Sequence, residues 1–277
     1  MTRSLAAFGL RLVAVTGSAL ILQFFSEFYF LNEGPARNAA RGWAAFPELM
    51  ISIYVYGLFA YLFLIVLDRF AVRSLAGLLL AGSIFGWATE ALVVPVVYEA
   101  PPVSFLWPSV GWHALIDVIA GWYLLRLAMR RLAWPFLALL FAALGVVWAF
   151  WATWTWSATE EPPAVYSVAE FWTIVLGTGA SWIIGTVLAD IAARYPFRAS
   201  IWEVLAIGLF ALVMFGAMGV SFLPWSAMLA LGIALTFGAL AWARRGRGRN
   251  RLAPLGSPAP LAAYFAMPLL PLAAGSA

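Results

Sequence analysis

The 277 residues are 65% hydrophobic and only 10% charged, where soluble domains carry about a quarter charged residues. A soluble protein of this composition could not cover its surface with polar groups, and a bilayer is the solvent that fits it. The net charge of +4 comes from sixteen basic residues, all of them Arg, and Cys is absent as well as Lys. That excludes disulfides, thiolate metal sites, cysteine nucleophiles, Schiff-base lysines and a P-loop.

Eight apolar segments near the roughly 20 residues that span a bilayer core follow one another: about 7–30, 48–67, 74–97, 106–126, 132–155, 168–190, 201–222 and 224–243. The first contains Arg11 and ends in no small-residue cleavage site, so it reads as a permanent span rather than a signal peptide. With the N-terminus in the cytoplasm, Arg3, Arg11, Arg69, Arg73, Arg126, Arg130, Arg131, Arg194, Arg198, Arg244, Arg245, Arg247, Arg249 and Arg251 all face inward. Only Arg37 and Arg41 face out. The expected fold is an all-α polytopic bundle of eight transmembrane helices over 1–243, with both termini inside, in the inner (plasma) membrane. The run Arg244–Arg251 reads as a stop facing anionic lipid headgroups rather than as a nucleic-acid site. Leu252–Ala277 is apolar but holds five prolines, too broken for a ninth span. It is expected to be an interfacial or partly disordered cytoplasmic tail.

Ionisable groups inside a bilayer are costly and mark function by default. Glu90 lies seven residues before the end of span 3 and His113 seven residues after the start of span 4, each about 10 Å deep at the helical rise. The short loop Tyr98–Phe105 makes the two spans neighbours, so Glu90 and His113 can meet. Asp117 is four residues further, on the same face and one turn deeper. Glu27 is near the outer end of span 1, and Glu48 and Glu170 stand at span mouths. Together these predict an acidic outer vestibule, to which Tyr98, Glu99, Trp87 and Trp112 are also assigned.

A histidine flanked by carboxylates can relay protons or act as general acid or base. One histidine is too few for an ordinary zinc site, and no metal or cofactor is assigned. Ser109 precedes His113 by four residues, but no G-x-S-x-G elbow surrounds it. In size and span count the chain resembles small membrane enzymes acting on isoprenoids, including carotenoid-biosynthesis membrane proteins. That resemblance is one of shape, with no Asp-rich prenyltransferase signature and no desaturase histidines. The expected function is permease-like transport of a small solute or cation through the acidic vestibule, with Glu90, His113 and Asp117 as proton relay. The alternatives are a membrane-embedded acid–base enzyme on a lipid-like substrate and a structural subunit of a membrane complex.

Overall fold

The computed structural model describes residues 2–29, 34–153, 165–246 and 249–277. Arg247 and the expected limits of the first and fifth spans, at 30 and 155, lie outside the described residues. Those residues are helical, with no strand among them. Eight helices are long and apolar enough to cross a membrane: Leu5–Phe28, Gly42–Arg69, Leu75–Leu92, Val103–Arg131, Trp134–Ala152, Val168–Ala192, Ile201–Phe222 and Trp225–Ala243. This is the architecture of a multi-pass membrane protein, in which each helix satisfies its own backbone polar groups.

Local sequence explains where the helices begin. Helix α1 (Thr2–Gln23) runs on into a π-helical turn, Phe24–Phe28. A short helix α2 (Gly34–Ala40) precedes α3 (Phe46–Arg69), which has Pro in its first turn. Helix α4 (Leu75–Leu92) is capped by the Ser74 hydroxyl, which accepts from Gly77 N at 3.0 Å. Next come a π-wound segment, Ser109–Leu125, and its α-helical continuation α5 (Arg126–Arg131). Helices α6 (Trp134–Ala152), α7 (Val168–Ala192), α8 (Ile201–Gly219) and α9 (Trp225–Ala243) complete the spans. Both α7 and α8 start in a capping box, Ser167/Glu170 and Ser200/Glu203.

Small residues set the packing, as they do where lipid offers no hydrophobic drive between helices. A Cβ on Gly17 would run into the backbone of Gly185 and Ala189, so α1 and α7 touch backbone to backbone. A Cβ on Gly86 would strike the carbonyl of Ser109, which brings α4 against the π-wound segment. An aromatic core of Phe24, Phe141, Trp148 and Trp182 joins α1, α6 and α7, with Phe24 and Trp182 stacked at 5.6 Å. Helices α8 and α9 are peripheral and largely uncovered by protein.

The tail is helical. It forms α10 (Leu261–Ala266) and α11 (Leu269–Ser276), with Ala266, Met267, Leu270 and Ala274 fully buried. Helix α11 fills a groove between α6 and α7. Cβ atoms on Gly145 and Gly179 would collide with Leu270–Ala274 and with Pro271. The prolines do prevent one straight helix, but Pro268 and Pro271 fall at or near a helix start, where a missing N–H costs little. Broken backbone at membrane depth is tolerated where protein buries it, and the two glycines supply that room.

Helix polarity divides the bundle into two ends. One gathers the starts of α4, α6 and α8, the ends of α3, α7 and α9, and most arginines; it is the basic end. The other carries the loops 93–108 and 219–224 and is the acidic end.

Candidate functional site

At the acidic end, two stretches of π-helix face each other: the turn Phe24–Phe28 and the segment Ser109–Leu125. Their closures run five residues back, as in Tyr29 N to Phe24 O at 2.8 Å and Gly111 N to Leu106 O at 2.7 Å. Such windings are rare and occur frequently at functional sites. Here they carry Ser26, Glu27, His113 and Asp117.

His113 lies between two carboxylates. Its Nε2 is 2.6 Å from Glu90 Oε1, and its Nδ1 is 2.7 Å from Asp117 Oδ2. Each contact needs a proton between its atoms. A neutral imidazole supplies one, so the unit holds one proton more than a neutral ring between two ionised carboxylates. Its net charge is a single negative one. Exposure falls along the unit, from 14% for the Glu90 side chain to 5% for His113 and zero for Asp117. Glu90 is thus the more exposed end of the unit and Asp117 the fully buried one. Asp117 Oδ1 is buried without a hydrogen-bond partner, which leaves the negative charge poorly compensated.

A hydroxyl chain meets this unit. Tyr56 OH donates to Glu27 Oε1 at 2.6 Å and lies 2.6 Å from Ser26 Oγ, which stands 3.3 Å from His113 Nδ1. Behind them, Gln23 Nε2 donates to Ser52 Oγ at 2.7 Å. Above lies a cavity of about 500 Å³. Its polar floor holds Ser26, Glu27, Tyr56, Thr89, Glu90 and His113; its walls include Ile51, Val55, Phe59, Trp107 and Trp112. Glu48 lines it too, at 3.5 Å from the half-exposed Arg41. Among the described residues no three His, Asp or Glu side chains are grouped as metal ligands, because the imidazole ring separates the Glu90 and Asp117 carboxylates.

Of the residues assigned from sequence, Glu27, Glu48, Glu90, Trp112 and His113 line this cavity, and Asp117 sits directly behind His113. Four others lie elsewhere. Glu170 is exposed and caps α7, its Oε2 accepting from Ser167 N and Ser167 Oγ at 2.7 Å. Glu99 is exposed on the loop. The Trp87 indole donates to Phe105 O at 2.8 Å on the far side of α4, within the cluster around Ala91 and Leu229. Tyr98 stacks on Phe222 at 4.5 Å with its hydroxyl buried and unpartnered, and that burial pushes its pKa up. None of the four lines the acidic-end cavity. Ser26 went unnoticed because a serine near a helix end is unremarkable until a π turn aims it.

The basic end holds a second cavity, about 410 Å³, which the sequence reading did not anticipate. Ser18, Leu64, Asp68, Arg73, Trp122 and Arg126 line it, and the tail residues Asn250, Leu252, Ala253, Leu255 and Gly256 form one wall. The tail is fastened there. Arg251 N donates to Arg73 O at 2.7 Å, and Tyr123 OH donates to Arg251 O at 3.0 Å. Asp190 accepts from Arg126 at 2.8 Å, Arg130 at 2.6 Å, Tyr264 OH at 2.7 Å and Ala259 N at 3.2 Å. The sequence signal was an acid near the end of span 6 at the depth of the span-4 arginines, but nothing in it joins them to the tail.

Compared with protein families, curated proteins and solved structures, the chain matches none. The reading of its function rests on the site itself.

Proposed function

We propose that this is a plasma-membrane transporter that carries a small solute by alternating access. Its acidic end faces out, and Glu90, His113 and Asp117 couple transport to protons. The observation that carries the reading is the pair of cavities reaching toward each other from opposite ends across a thin aromatic septum. On α3, Phe59 lines the acidic-end cavity and Leu64 the basic-end one, five residues or about 7 Å apart. Between them stand the buried Phe63 and the Trp122 ring, edge to face at 5.2 Å, with Phe85 at 6.2 Å from Phe63. On α1, Ser26 and Ser18 face the two cavities about 12 Å apart. Such a layout puts an ionisable unit on one side of a barrier that a small rearrangement of packed side chains would move.

The arginine distribution favours a cytoplasmic basic end, with Arg244, Arg245, Arg249 and Arg251 near anionic lipid headgroups. In this orientation the fastened tail forms part of the wall of the inner cavity.

The test uses the natural absence of cysteine. Ile51→Cys places a thiol on the acidic-end cavity and Ala193→Cys one on the basic-end cavity. In sealed vesicles a membrane-impermeant maleimide should reach the first only from outside and the second only from the cytoplasmic face. A pH series from about 6 to about 10, wide enough to include proton release by a histidine beside carboxylates, should move the two rates in opposite directions, severalfold. Rates that ignore pH, or that rise and fall together, would overturn the reading.

A further inference from the structure

We propose that the acidic-end cavity binds one organic monocation, a protonated amine or quaternary ammonium with a hydrophobic body, in exchange for the shared proton of the Glu90–His113–Asp117 unit. This names the substrate class of the site described above and rests on the transport reading for its purpose, though not for its chemistry.

Charge decides the class. Three carboxylates line the cavity: Glu27, Glu48 and Glu90. No arginine lines it among the described residues; Arg41 meets Glu48 only at the rim. Asp117 adds a fourth carboxylate just behind the floor, with Oδ1 buried and unpartnered. An anionic solute would be repelled by every ionisable group except His113. A neutral apolar solute would have to strip water from the carboxylates and give nothing back.

Shape decides the kind of cation. Small metal ions want several oxygen ligands converging on one point, and the imidazole holds Glu90 and Asp117 on its opposite edges. The walls are broad and apolar, with Trp107, Trp112, Tyr56 and Phe59 presenting rings that attract a positive charge through their faces. A volume of about 500 Å³ falls in the range of pockets for single drug-sized ligands.

The exchange balances. With its surplus proton the unit carries one negative charge. When that proton leaves to water, neutral His113 keeps one N–H, which stays with the fully buried Asp117. Glu90 then faces a bare Nε2 and turns its charge into the cavity. The cation restores the total to a single negative charge. The other groups facing Glu90 are Glu27 on the π turn and Tyr56 and Glu48 on α3, and Tyr56 holds Glu27 by hydrogen bond in either state.

Radiolabelled tetraphenylphosphonium is a suitable probe, with the full chain purified in detergent and proton release followed by a pH dye. The expected result is saturable binding at one site, with about one proton released per cation. Affinity should rise with pH, by up to about tenfold per unit where the proton is exchanged. Neutral triphenylphosphine oxide should not compete. Glu90→Gln should abolish proton release and weaken binding at least tenfold. Glu90→Asp should bind with its pH dependence displaced, which separates chemistry from misfolding. Glu170→Gln removes a carboxylate at the same end but outside the cavity, and should leave binding within twofold. Binding that ignores pH, equal competition by the neutral analogue, or full binding by a folded Glu90→Gln would overturn the proposal. If reciprocal cysteine labelling persists in that case, the transport reading survives with another substrate; if labelling fails while binding holds, the cation site stands without transport.

Discussion

The two ends of the bundle solve the same problem, buried charge, in opposite ways. At the basic end every described carboxylate is matched. Asp190 accepts from two guanidinium groups, a phenol and a backbone amide. Glu203 accepts from Arg11 at 2.7 Å and from Tyr61. Asp68 takes Ala199 N at 3.2 Å with Arg198 at 3.5 Å. At the acidic end carboxylates crowd one histidine, and an oxygen of Asp117 is left without a partner. A saturated network has nothing to exchange and fixes geometry; an unsaturated one next to a cavity can trade a proton or a cation. On the proposed reading, the saturated end holds the tail and the unsaturated end carries the exchange.

The largest effect is expected from Asp190→Ala. It leaves Arg126, only 4% exposed, as a buried unpaired cation, a loss of roughly 3–5 kcal/mol by the measure of broken buried pairs. Thermal unfolding of the solubilised protein should shift down by many degrees, and limited proteolysis should open the chain around 252–260. A variant as stable and as resistant as the parent would mean that the network is ornamental. Next in size is Gly145→Val. Its side chain must enter the space held by the Leu270 carbonyl and Ala273, and overpacking of this kind costs about 1–3 kcal/mol. The tail should become cleavable while the acidic-end cavity keeps its probe binding. Simultaneous loss of both would show that the two ends are not independent. Smaller again is Tyr264→Phe, which removes one of five hydrogen bonds on Asp190. A loss of about 1 kcal/mol is expected, with the tail still docked.

What was legible in the sequence follows a physical line. Eight helices long and apolar enough to cross a membrane could be read from hydropathy because length and apolarity are one-dimensional quantities. So could the meeting of Glu90 with His113, since equal depth on consecutive antiparallel spans with a short loop leaves them little choice. Rotation about the helix axis could not be read. Glu170, Tyr98, Glu99 and Trp87 belong to other surroundings, because the side of α4 that meets α9 and the packing of the loop residues are set by tertiary contacts. The tail's packing was hidden for a different reason. Five prolines do forbid a straight helix, but whether two short helices find shelter depends on glycines in α6 and α7, more than ninety residues away in the case of Gly179 and Pro271.

The smallest expected effect on stability is the most telling. Glu90→Gln removes a charge from the acidic end, and a structural pair would register the loss as a broken ion pair. The unit described here predicts otherwise. A glutamine amide can turn to donate its N–H to a bare His113 Nε2, while His113 keeps its own proton on Nδ1 for Asp117. Both contacts survive with a neutral imidazole, and no surplus proton is needed. Unfolding should therefore change by less than about 1 kcal/mol, the scale of interhelical hydrogen bonds in membranes. The pH response of cysteine labelling should vanish altogether. If instead Glu90→Gln unfolds as readily as Asp190→Ala, the carboxylate at the acidic end is a lock like its counterpart, and the contrast between the two ends collapses.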